Sequence, residues 1–232
     1  MSKVKKYLDN NVKSIHFIGI GGIGMCGLAE YLLDKGYKVS GSDITKTFIT
    51  KRLEDKGAKI YYGHSEKNVR KDTGLVIYSS AVKTDNPEYL RSEKMKIKAI
   101  KRAVLLGEIV NDMLLIAVSG THGKTSTTSI LSKILIDNGI NPTVFVGGNL
   151  DILGGASYRI GSNIAIVEAD EYDRSFLTLK PDIIIINNIE LDHVDIYKNV
   201  KSLMQSFKDF AGKLKPDGCF VVNWDDKNIR EL

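Results

Sequence analysis

The sequence has few cysteines and no long hydrophobic run, and each of these absences excludes a class of protein. Only two cysteines occur in 232 residues, Cys26 and Cys219, and their separation fits no metal-binding spacing. Such sparse cysteine use is typical of a protein from the reducing cytosol. No apolar segment approaches the roughly 18 residues that a membrane-spanning helix needs. We therefore expect a cytoplasmic protein without membrane insertion.

The N-terminus and the charge pattern exclude two further classes. The first eleven residues, MSKVKKYLDNN, lack the apolar core of a signal peptide. The formal net charge is only +5, and the densest basic stretch is residues 91–102. No aromatic residues lie between the charges of this stretch, so we expect no nucleic-acid partner. We interpret it as a solvated segment between domains.

Strand and helix patterns alternate along the whole chain, which predicts parallel sheets covered by helices. The first half contains five predicted strands, at residues 14–20, 38–43, 59–63, 74–80 and 97–100. The pattern restarts in the second half, with strands at residues 114–120, 143–148, 163–170, 182–190 and 218–224. We predict an α/β fold in which a Rossmann-like parallel-sheet domain, residues 1–107, precedes part of a P-loop-type α/β domain, residues 108–232.

A glycine-rich turn in the second half, GTHGKTS, lies between a predicted buried strand and a predicted helix. This context is typical of a phosphate-binding loop, in which backbone N–H groups and a helix N-terminus face oxyanions. Lys124 is placed to contact the β- and γ-phosphates, and the Thr125 hydroxyl to bind Mg²⁺. Val118 stands where the common motif has a further glycine, so the loop is a shorter variant. The predicted ATP-binding residues are Gly120, Thr121, His122, Gly123, Lys124, Thr125 and Ser126.

Polar residues follow the next two predicted strands of the second half. One strand ends in an acidic run that contains Glu168, Asp170, Glu171 and Asp173. The other ends in a polar group that contains Asn187, Asn188, Glu190, Asp192, His193 and Asp195. Because parallel strands end at the same edge of a sheet, we expect these residues near the phosphate loop. A neutral imidazole at His193 can bind a divalent cation there, whereas Asp173 also fits a solvated acidic turn.

The first half has its own glycine motif, G-x-G-x-x-G, formed by Gly19, Gly21 and Gly24 after the first predicted strand. Such a motif is typical of a pyrophosphate cradle at a helix N-terminus. Asp43 follows Gly24 by nineteen residues, where dinucleotide-binding proteins place the acidic residue that binds ribose. An NAD-dependent dehydrogenase or sensor is therefore an alternative, although it leaves the second phosphate loop and His193 unexplained.

Three segments in order resemble the Mur ligases: HFIGIGGIGMCGLAEYL, GTHGKTS and VEADEYDRSFLTLKPDIIIINNIELDHVD. The resemblance extends from about residue 13 to the end of the chain. It implies a UDP-sugar-binding Rossmann-like domain, a central ATPase domain and a C-terminal domain that helps to bind an amino acid. We expect residues 1–107 to form the first domain and residues 108–232 the front of the second, with the remainder of the family's architecture absent.

Within the family, the motifs are most similar to those of the member that joins L-alanine to UDP-N-acetylmuramate in peptidoglycan precursor synthesis. The resemblance implies an ATP- and Mg²⁺-dependent ligation through an acyl phosphate, with release of ADP and phosphate. It gives catalytic roles to Lys124, Glu168 and His193. Thr125 and Glu168 are expected to hold one metal ion, and His193 a second. The role of His122 stays open, because packing within the loop is an alternative.

The resemblance also implies a UDP-sugar site in the first domain, formed by Gly19, Gly21, Gly22, Gly24, Asp43, His64, Ser79 and Ser80. Ordinary strand-end polarity is the alternative for the two serines, and a surface turn is the alternative for His64. Two further functions stay open. One is a sister ligase that attaches a recycled tripeptide to UDP-N-acetylmuramate, and the other is a chain that binds UDP-N-acetylmuramate without turnover.

Overall fold

In the computed structural model, the chain divides into two units, Met1–Glu108 and Ile109–Leu232. The structure describes residues 6–8, 11–193 and 195–232. The N-terminal segment that lacks a signal-peptide pattern lies partly outside these residues. Within the described ranges, the helices are too short or too polar for any of them to span a membrane.

Five parallel strands form the sheet of the first unit: β1 (Ser14–Ile18), β2 (Lys38–Asp43), β3 (Lys59–Tyr62), β4 (Leu75–Tyr78) and β5 (Lys98–Lys101). Their order in the sheet is β3-β2-β1-β4-β5. Ile18 is in register with Ser42 of β2 and with Tyr78 of β4, so these strands end at nearly the same level. The strand order reverses between β1 and β4, and in such sheets the ligand crevice lies beyond the carboxyl ends of the strands at this point.

Four helices connect or follow these strands: α1 (Ile23–Asp34), α2 (Phe48–Asp55), α3 (Pro87–Lys94) and α4 (Arg102–Val110). The start of α3 is well defined, because the Asn86 side chain accepts the backbone N–H groups of Glu88 and Tyr89 and a proline occupies the first turn. Helix α3 was not predicted from the sequence. The boundary between the two units lies within α4.

The basic stretch at residues 91–102 lies inside the first unit, so its interpretation as a segment between domains was wrong. It comprises the end of α3, strand β5 and the first residue of α4. In β5 the side chain of Ile100 is buried, whereas Lys98 and Lys101 are exposed. Two of the six basic residues of this stretch therefore lie on the solvent side of an edge strand that pairs with β4.

Six strands form the sheet of the second unit: β6 (Leu114–Ser119), β7 (Thr143–Leu150), β8 (Ala156–Arg159), β9 (Ile164–Glu168), β10 (Ile183–Ile186) and β11 (Cys219–Val222). Their order is β11-β10-β6-β9-β7-β8, and only the pairing of β7 with β8 is antiparallel among the described residues. Strand β8, which was not predicted, follows a turn in which Gly154 and Gly155 both have positive φ.

The helices of the second unit are α5 (Lys124–Asp137), α6 (Val200–Ala211) and the short α7 (Lys227–Arg230). Leu131 and Leu135 of α5 pack on the central strands. Phe207 and Phe210 of α6 contact Phe176 in a 3₁₀ segment, Tyr172–Thr178, with ring centroids 5.4 and 4.5 Å apart. This packing holds the chain that follows β9 against the body of the unit. The two sheets confirm the predicted α/β class with parallel strands.

Candidate functional site

The predicted phosphate loop connects β6 to α5, as the sequence indicates. Gly120 (φ +127°) and Gly123 (φ +77°) adopt backbone conformations that favour glycine. Gly120 also lies against the end of β10, because a Cβ placed on it would be 3.1 Å from backbone atoms of Asn187 and Asn188. Lys124 begins α5, so the N-terminus of that helix faces the loop.

The segment after β10 holds this loop in shape. Asn188 Oδ1 accepts the backbone N–H of His122 at 2.8 Å, and the amides of Asn187 and Asn188 both donate to the His122 carbonyl at 3.2 Å. The Thr121 hydroxyl bonds both the N–H and the carbonyl of Glu190 at 2.9 Å. A loop ordered in this way loses less conformational entropy when it binds a ligand.

Two of the predicted loop residues have exposed side chains. The imidazole of His122 is 64% exposed, and its Nε2 atom lies 3.9 Å from the Glu190 carboxylate. Packing of this ring within the loop, the alternative left open for His122, is therefore not what the structure shows. Ser126 is exposed in the first turn of α5.

Lys124 folds back over the loop and pairs with a buried carboxylate. Its Nζ atom donates to the carbonyls of Gly120 and Thr121 at 2.8 and 3.2 Å, and to the two carboxylate oxygens of Glu171 at 3.1 and 3.0 Å. The Glu171 side chain is only 1% exposed. Burial raises the pKa of Glu171, and the Lys124 ammonium only partly opposes this rise. Glu171 belongs to the acidic run but was not among the predicted site residues.

The structure brings Thr125 and Glu168 together, as predicted. Thr125 Oγ1 donates to both oxygens of Glu168 at 3.1 Å. The backbone N–H of Gly147 in β7 donates to the same carboxylate at 2.8 Å. A hydroxyl and a carboxylate at the start of α5 and the end of β9 are hard oxygen ligands of the kind that Mg²⁺ prefers.

His193 lies with a different pair of carboxylates. One ligand atom from each of Asp170, Glu171 and His193 falls within 4.8 Å of the others. His193 Nε2 is 3.8 Å from Glu171 Oε1, and the ring packs edge-on against Tyr172. The backbone of His193 has a φ of +52°, which is uncommon for a residue other than glycine and occurs often at functional sites. The predicted metal ligands thus form two groups.

In the first unit, a cleft of about 500 Å³ lies beyond the carboxyl ends of four strands. It is lined by four predicted residues, Gly19, Asp43, His64 and Ser79, which lie at or just after the carboxyl ends of β1, β2, β3 and β4 respectively. Residues 81–83 and 85–87, before and at the start of α3, form much of the remaining wall. Ser80 is exposed and is not part of this lining.

The glycine turn beside the cleft binds Asp43 through its own backbone. The N–H of Gly21 donates to Asp43 Oδ2 at 2.8 Å, and the N–H of Gly19 donates to the Ser42 carbonyl at 2.9 Å. Gly22 is the N-cap residue of α1. Asp43 therefore fixes the shape of the turn, a contact that the sequence analysis did not predict.

Arg102, the first residue of α4, lies beside this turn and was not predicted as a site residue. A Cβ placed on Gly24 would meet the Arg102 guanidinium, so the absence of a side chain there makes room for the arginine. Within the described ranges, Arg102 makes no ion pair. The guanidinium and the N-terminus of α1 together concentrate positive charge that suits an anion. No local pattern could have indicated Arg102, which lies 78 residues after Gly24.

His64 lies in the cleft wall and not in a surface turn. Its side chain is 23% exposed, and its Nδ1 atom is 3.0 Å from Ser42 Oγ and 3.5 Å from Glu88 Oε1. Glu88 is completely buried and was not predicted as a functional residue. The three side chains connect the cleft with the interior of the first unit.

Two family models match consecutive parts of the chain. The model described as "Mur ligase family, catalytic domain" matches residues 14–113, and the "Mur ligase middle domain" matches residues 118–232. The chain is 48% identical over 225 residues to UDP-N-acetylmuramate–L-alanine ligase of Acetivibrio thermocellus, a match that covers 96% of this chain and 48% of that protein. The chain spans about half the length of the curated relatives that it matches.

Solved structures of the same family share the fold. UDP-N-acetylmuramate-alanine ligase MurC from Thermotoga maritima is 32% identical with a TM-score of 0.86, over 94% of this chain and 50% of that one. The UDP-N-acetylmuramate:L-alanyl-γ-D-glutamyl-meso-diaminopimelate ligase from Neisseria meningitides is 27% identical with a TM-score of 0.88, over 95% and 74% respectively. Together with the two glycine-loop sites, these matches show that the chain belongs to the Mur ligase family.

Proposed function

We propose that the chain forms the UDP-sugar-binding domain and the front of the ATP-binding domain of a ligase that joins L-alanine to UDP-N-acetylmuramate. The overall reaction consumes ATP and releases ADP and phosphate in peptidoglycan precursor synthesis. The observation that carries the proposal is the occurrence of two separate phosphate-binding turns, one in each unit. A dehydrogenase needs only the first. The 48% identity to the Acetivibrio thermocellus ligase favours L-alanine as the incoming amino acid.

In this proposal, the first unit binds UDP-N-acetylmuramate. The diphosphate contacts the turn of Gly19, Gly21, Gly22 and Gly24, where the helix N-terminus supplies positive potential. Arg102 adds a full positive charge beside the same turn. The cleft volume of about 500 Å³ lies within the range that is usual for small-molecule sites.

The polar side chains of the cleft are the second part of this site. His64 and Ser79 line it and bind the nucleoside or sugar portion of the ligand. Asp43 keeps the glycine turn in place through its bond to the Gly21 N–H, and does not contact a nicotinamide ribose. Ser80 is exposed and does not line the cleft, so it contributes less to binding than Ser79.

The second unit binds ATP between β6 and α5. The Thr121 and His122 N–H groups already bond Asn188, so the phosphates contact the loop at Gly123 and at the first turn of α5, where Thr125 and Ser126 follow. To reach the phosphates, the Lys124 side chain turns away from Glu171. Its ammonium group then pairs with a phosphate and no longer with the Glu171 carboxylate. His122, whose ring is exposed, contributes mainly through its backbone groups.

The donor sets fit divalent cations. Thr125 Oγ1 and the two Glu168 oxygens lie within 3.1 Å of one another and would hold Mg²⁺ near the β- and γ-phosphates. Asp170, Glu171 and His193 would hold a second cation. When bound, such ions supply neutralising charge at the phosphate oxygens.

The main physical difficulty of the reaction is that a negatively charged carboxylate must approach a negatively charged triphosphate. The muramyl carboxylate attacks the γ-phosphorus, the bond to ADP breaks, and the amine of L-alanine then displaces phosphate from the acyl phosphate. Lys124 and the loop N–H groups stabilise the negative charge that accumulates in the first step. Glu168 and His193 would contribute by holding the cations in place.

Phosphate release and ligand binding test this proposal. Binding of UDP-N-acetylmuramate and ATP to the 232-residue chain is expected by titration calorimetry, with no binding of NAD. Phosphate release from ATP is expected only when UDP-N-acetylmuramate and L-alanine are both present. A chain that binds both nucleotides without turnover retains the assignment of the two sites. Binding of NAD in place of the UDP-sugar would contradict it.

The tripeptide ligase is the second candidate, because the Neisseria meningitides enzyme shares the fold with a TM-score of 0.88. Both candidates use the same UDP-sugar, so binding to the first unit does not distinguish them. In a protein extended to the full length of the relatives, L-alanine and L-alanyl-γ-D-glutamyl-meso-diaminopimelate should be compared as acceptors. Turnover with the tripeptide alone would favour the second candidate.

A further inference from the structure

A buried carboxylate, Glu88, lies at the centre of a polar cluster beside the cleft of the first unit. Four donors surround it. His16 Nε2 and Ser42 Oγ approach Glu88 Oε2 at 3.1 and 2.6 Å, and the Asn68 amide and the Ser65 backbone N–H approach Oε1 at 2.6 and 3.2 Å. His16, Ser42 and Glu88 are fully buried. Burial of a carboxylate costs several kcal/mol unless its partners compensate, so this cluster calls for an explanation.

The hydrogen bonds in the cluster have defined directions. Burial raises the pKa of Glu88, but hydrogen bonds from His16, Ser42 and Asn68 outweigh it and hold the pKa below its usual value. Glu88 is therefore ionised at neutral pH and can only accept hydrogen bonds. A hydroxyl has a single proton, and Ser42 donates its proton to Glu88.

The direction of the Ser42–Glu88 hydrogen bond determines which ring nitrogen of a neutral His64 carries the proton. Because the proton of Ser42 points to Glu88, Ser42 Oγ acts as the acceptor in its 3.0 Å contact with His64 Nδ1. The proton of a neutral His64 ring then resides on Nδ1. Nε2 makes no hydrogen bond in the described part of the chain, and His64 lines the cleft. The ring thus offers the cleft a nitrogen acceptor.

We propose that Glu88 is a positioning residue of the sugar-nucleotide site, which through Ser42 holds His64 as the Nδ1–H tautomer. Nε2 of His64 then accepts a hydrogen bond from an N–H or O–H group of the bound nucleoside diphosphate sugar. The inference rests on the proposed function of the first unit. A phosphate oxygen is an acceptor and cannot supply this bond, so His64 recognises the nucleoside or sugar portion.

Glu88→Gln provides a specific test, because glutamine replaces one acceptor with an NH₂ donor. At the Oε1 position the glutamine NH₂ group would face the Ser65 backbone N–H. Both groups are donors, and a backbone N–H cannot become an acceptor, so this orientation is disfavoured. At the Oε2 position it faces Ser42 and His16, and both can reverse their hydrogen bonds. Ser42 then donates to His64 Nδ1, and the proton of His64 moves to Nε2. The variant is therefore expected to turn the cleft-facing nitrogen from an acceptor into a donor.

The first measurement is ¹⁵N NMR of the imidazole nitrogens in the ligand-free chain at about pH 8.5, above the ordinary pKa of histidine. Comparison with His64→Gln assigns the His64 signals among the four histidines. The Nδ1–H pattern is expected in the wild type and the Nε2–H pattern in Glu88→Gln. Glu93→Gln, which changes an exposed carboxylate on the same helix, is the control and should keep the wild-type pattern. An identical tautomer in wild type and Glu88→Gln would overturn the proposal.

The second measurement is the affinity for UDP-N-acetylmuramate by titration calorimetry. Loss of one hydrogen bond predicts about tenfold weaker binding to Glu88→Gln and unchanged binding to Glu93→Gln. Equal affinities in wild type and Glu88→Gln would also overturn the proposal. A wild-type chain that does not bind this ligand would refute the proposed function, whereas the NMR comparison would still decide whether Glu88 sets the tautomer.

A second variant covers the case in which Glu88→Gln does not fold. Ser42→Ala removes the oxygen between Glu88 and His64 and changes the side-chain volume very little. Only the longer 3.5 Å contact of His64 Nδ1 with Glu88 Oε1 then remains, so the Nε2–H tautomer is expected to appear beside the Nδ1–H tautomer, with a loss of affinity. A single Nδ1–H tautomer and unchanged affinity in Ser42→Ala would show that the ring is held by other contacts.

Discussion

Gly120→Ala is expected to destabilise the second unit by about 2–5 kcal/mol, more than Gly139→Ala in the same unit. Gly120 and Gly139 both have positive φ, at +127° and +78°. Near the left-handed region, where Gly139 lies, an alanine costs about 1–2 kcal/mol, and at the φ of Gly120, further from that region, it costs at least as much. At Gly120 the new Cβ would also lie 3.1 Å from three backbone atoms of residues 187–188, whereas at Gly139 no atom lies within 4 Å. Overpacking of this kind adds about 1–3 kcal/mol.

The backbone around Gly120 has little freedom to relax. The Asn187 N–H donates to Ser119 and the Asn188 carbonyl accepts from Thr121, both at 3.1 Å, so a shift of this segment breaks bonds that hold the phosphate loop. We therefore expect Gly120→Ala to weaken ATP binding as well as stability.

Urea denaturation followed by circular dichroism measures the difference between the two glycine variants. Because two units can unfold in separate transitions, the variants are compared within the transition of the second unit. Gly139→Ala, with the same change in composition, is the matched control. Equal losses of unfolding free energy in the two variants would refute the argument from close backbone approach, since only the cost of positive φ would then remain.

Three further variants separate the two sites and test one ion pair. Lys124→Ala is expected to lower ATP affinity at least tenfold with UDP-N-acetylmuramate affinity unchanged. Arg102→Ala should give the reverse pattern, and calorimetry measures both. Burial raises the pKa of Asp182, but hydrogen bonds from Lys215 and the Leu115 N–H bring it below its ordinary value. The half-exposed pair stabilises the fold above about pH 4, so Asp182→Asn should cost about 1 kcal/mol at pH 7 and progressively less as the pH falls below about 4.

A specific result would contradict each of these three predictions. Loss of both affinities in Lys124→Ala or in Arg102→Ala would mean that the residue supports the whole chain and not one site. For Asp182, the folded pKa lies below the unfolded one, so the stabilisation must disappear as the pH falls through the folded pKa. A stability difference that does not shrink in urea titrations as the pH falls below about 4 would show that the ion pair is not its source.

The phosphate loop and the edge of its sheet were predictable because their determinants are contiguous. A buried strand, a turn with glycines at residues 120 and 123 and a following helix specify the loop without any long-range information. The rule that parallel strands end at one edge then brings Glu168 to Thr125, 43 residues away. The same rule brings the residues after β1 to β4 to one cleft.

Helix α3 was missed because its buried side is polar. The buried residues of this helix are Glu88 and Ser92, so the segment shows no apolar periodicity. Glu88 follows Asn86 and Pro87, where an acidic residue is common at the start of any helix. Its partner His16 lies 72 residues earlier in the sequence, and only the folded sheet reveals the pair.

The acidic run after β9 shows a different limit. The run contains four carboxylates within six residues, and the sequence provides no means of telling which of them meets Lys124. Which carboxylate meets Lys124 depends on the path of the chain after β9, where Asp173 and Arg174 both adopt positive φ. The Tyr197 hydroxyl also donates to the Glu171 carbonyl at 2.6 Å. These contacts place Glu171, and not its neighbours, in the interior beside the lysine.

On the proposed function, the Lys124–Glu171 pair links phosphate binding to cation binding. When Lys124 turns to the phosphates, Glu171 loses its cation while it stays almost fully buried. A buried carboxylate without a partner costs about 3–5 kcal/mol, comparable with the gain from a new lysine–phosphate contact. Asp170 and His193, whose ligand atoms lie within 4.8 Å of Glu171, allow a divalent cation to replace the lysine there. On the proposed function, a cation at this second position would therefore compensate Glu171 and favour ATP binding.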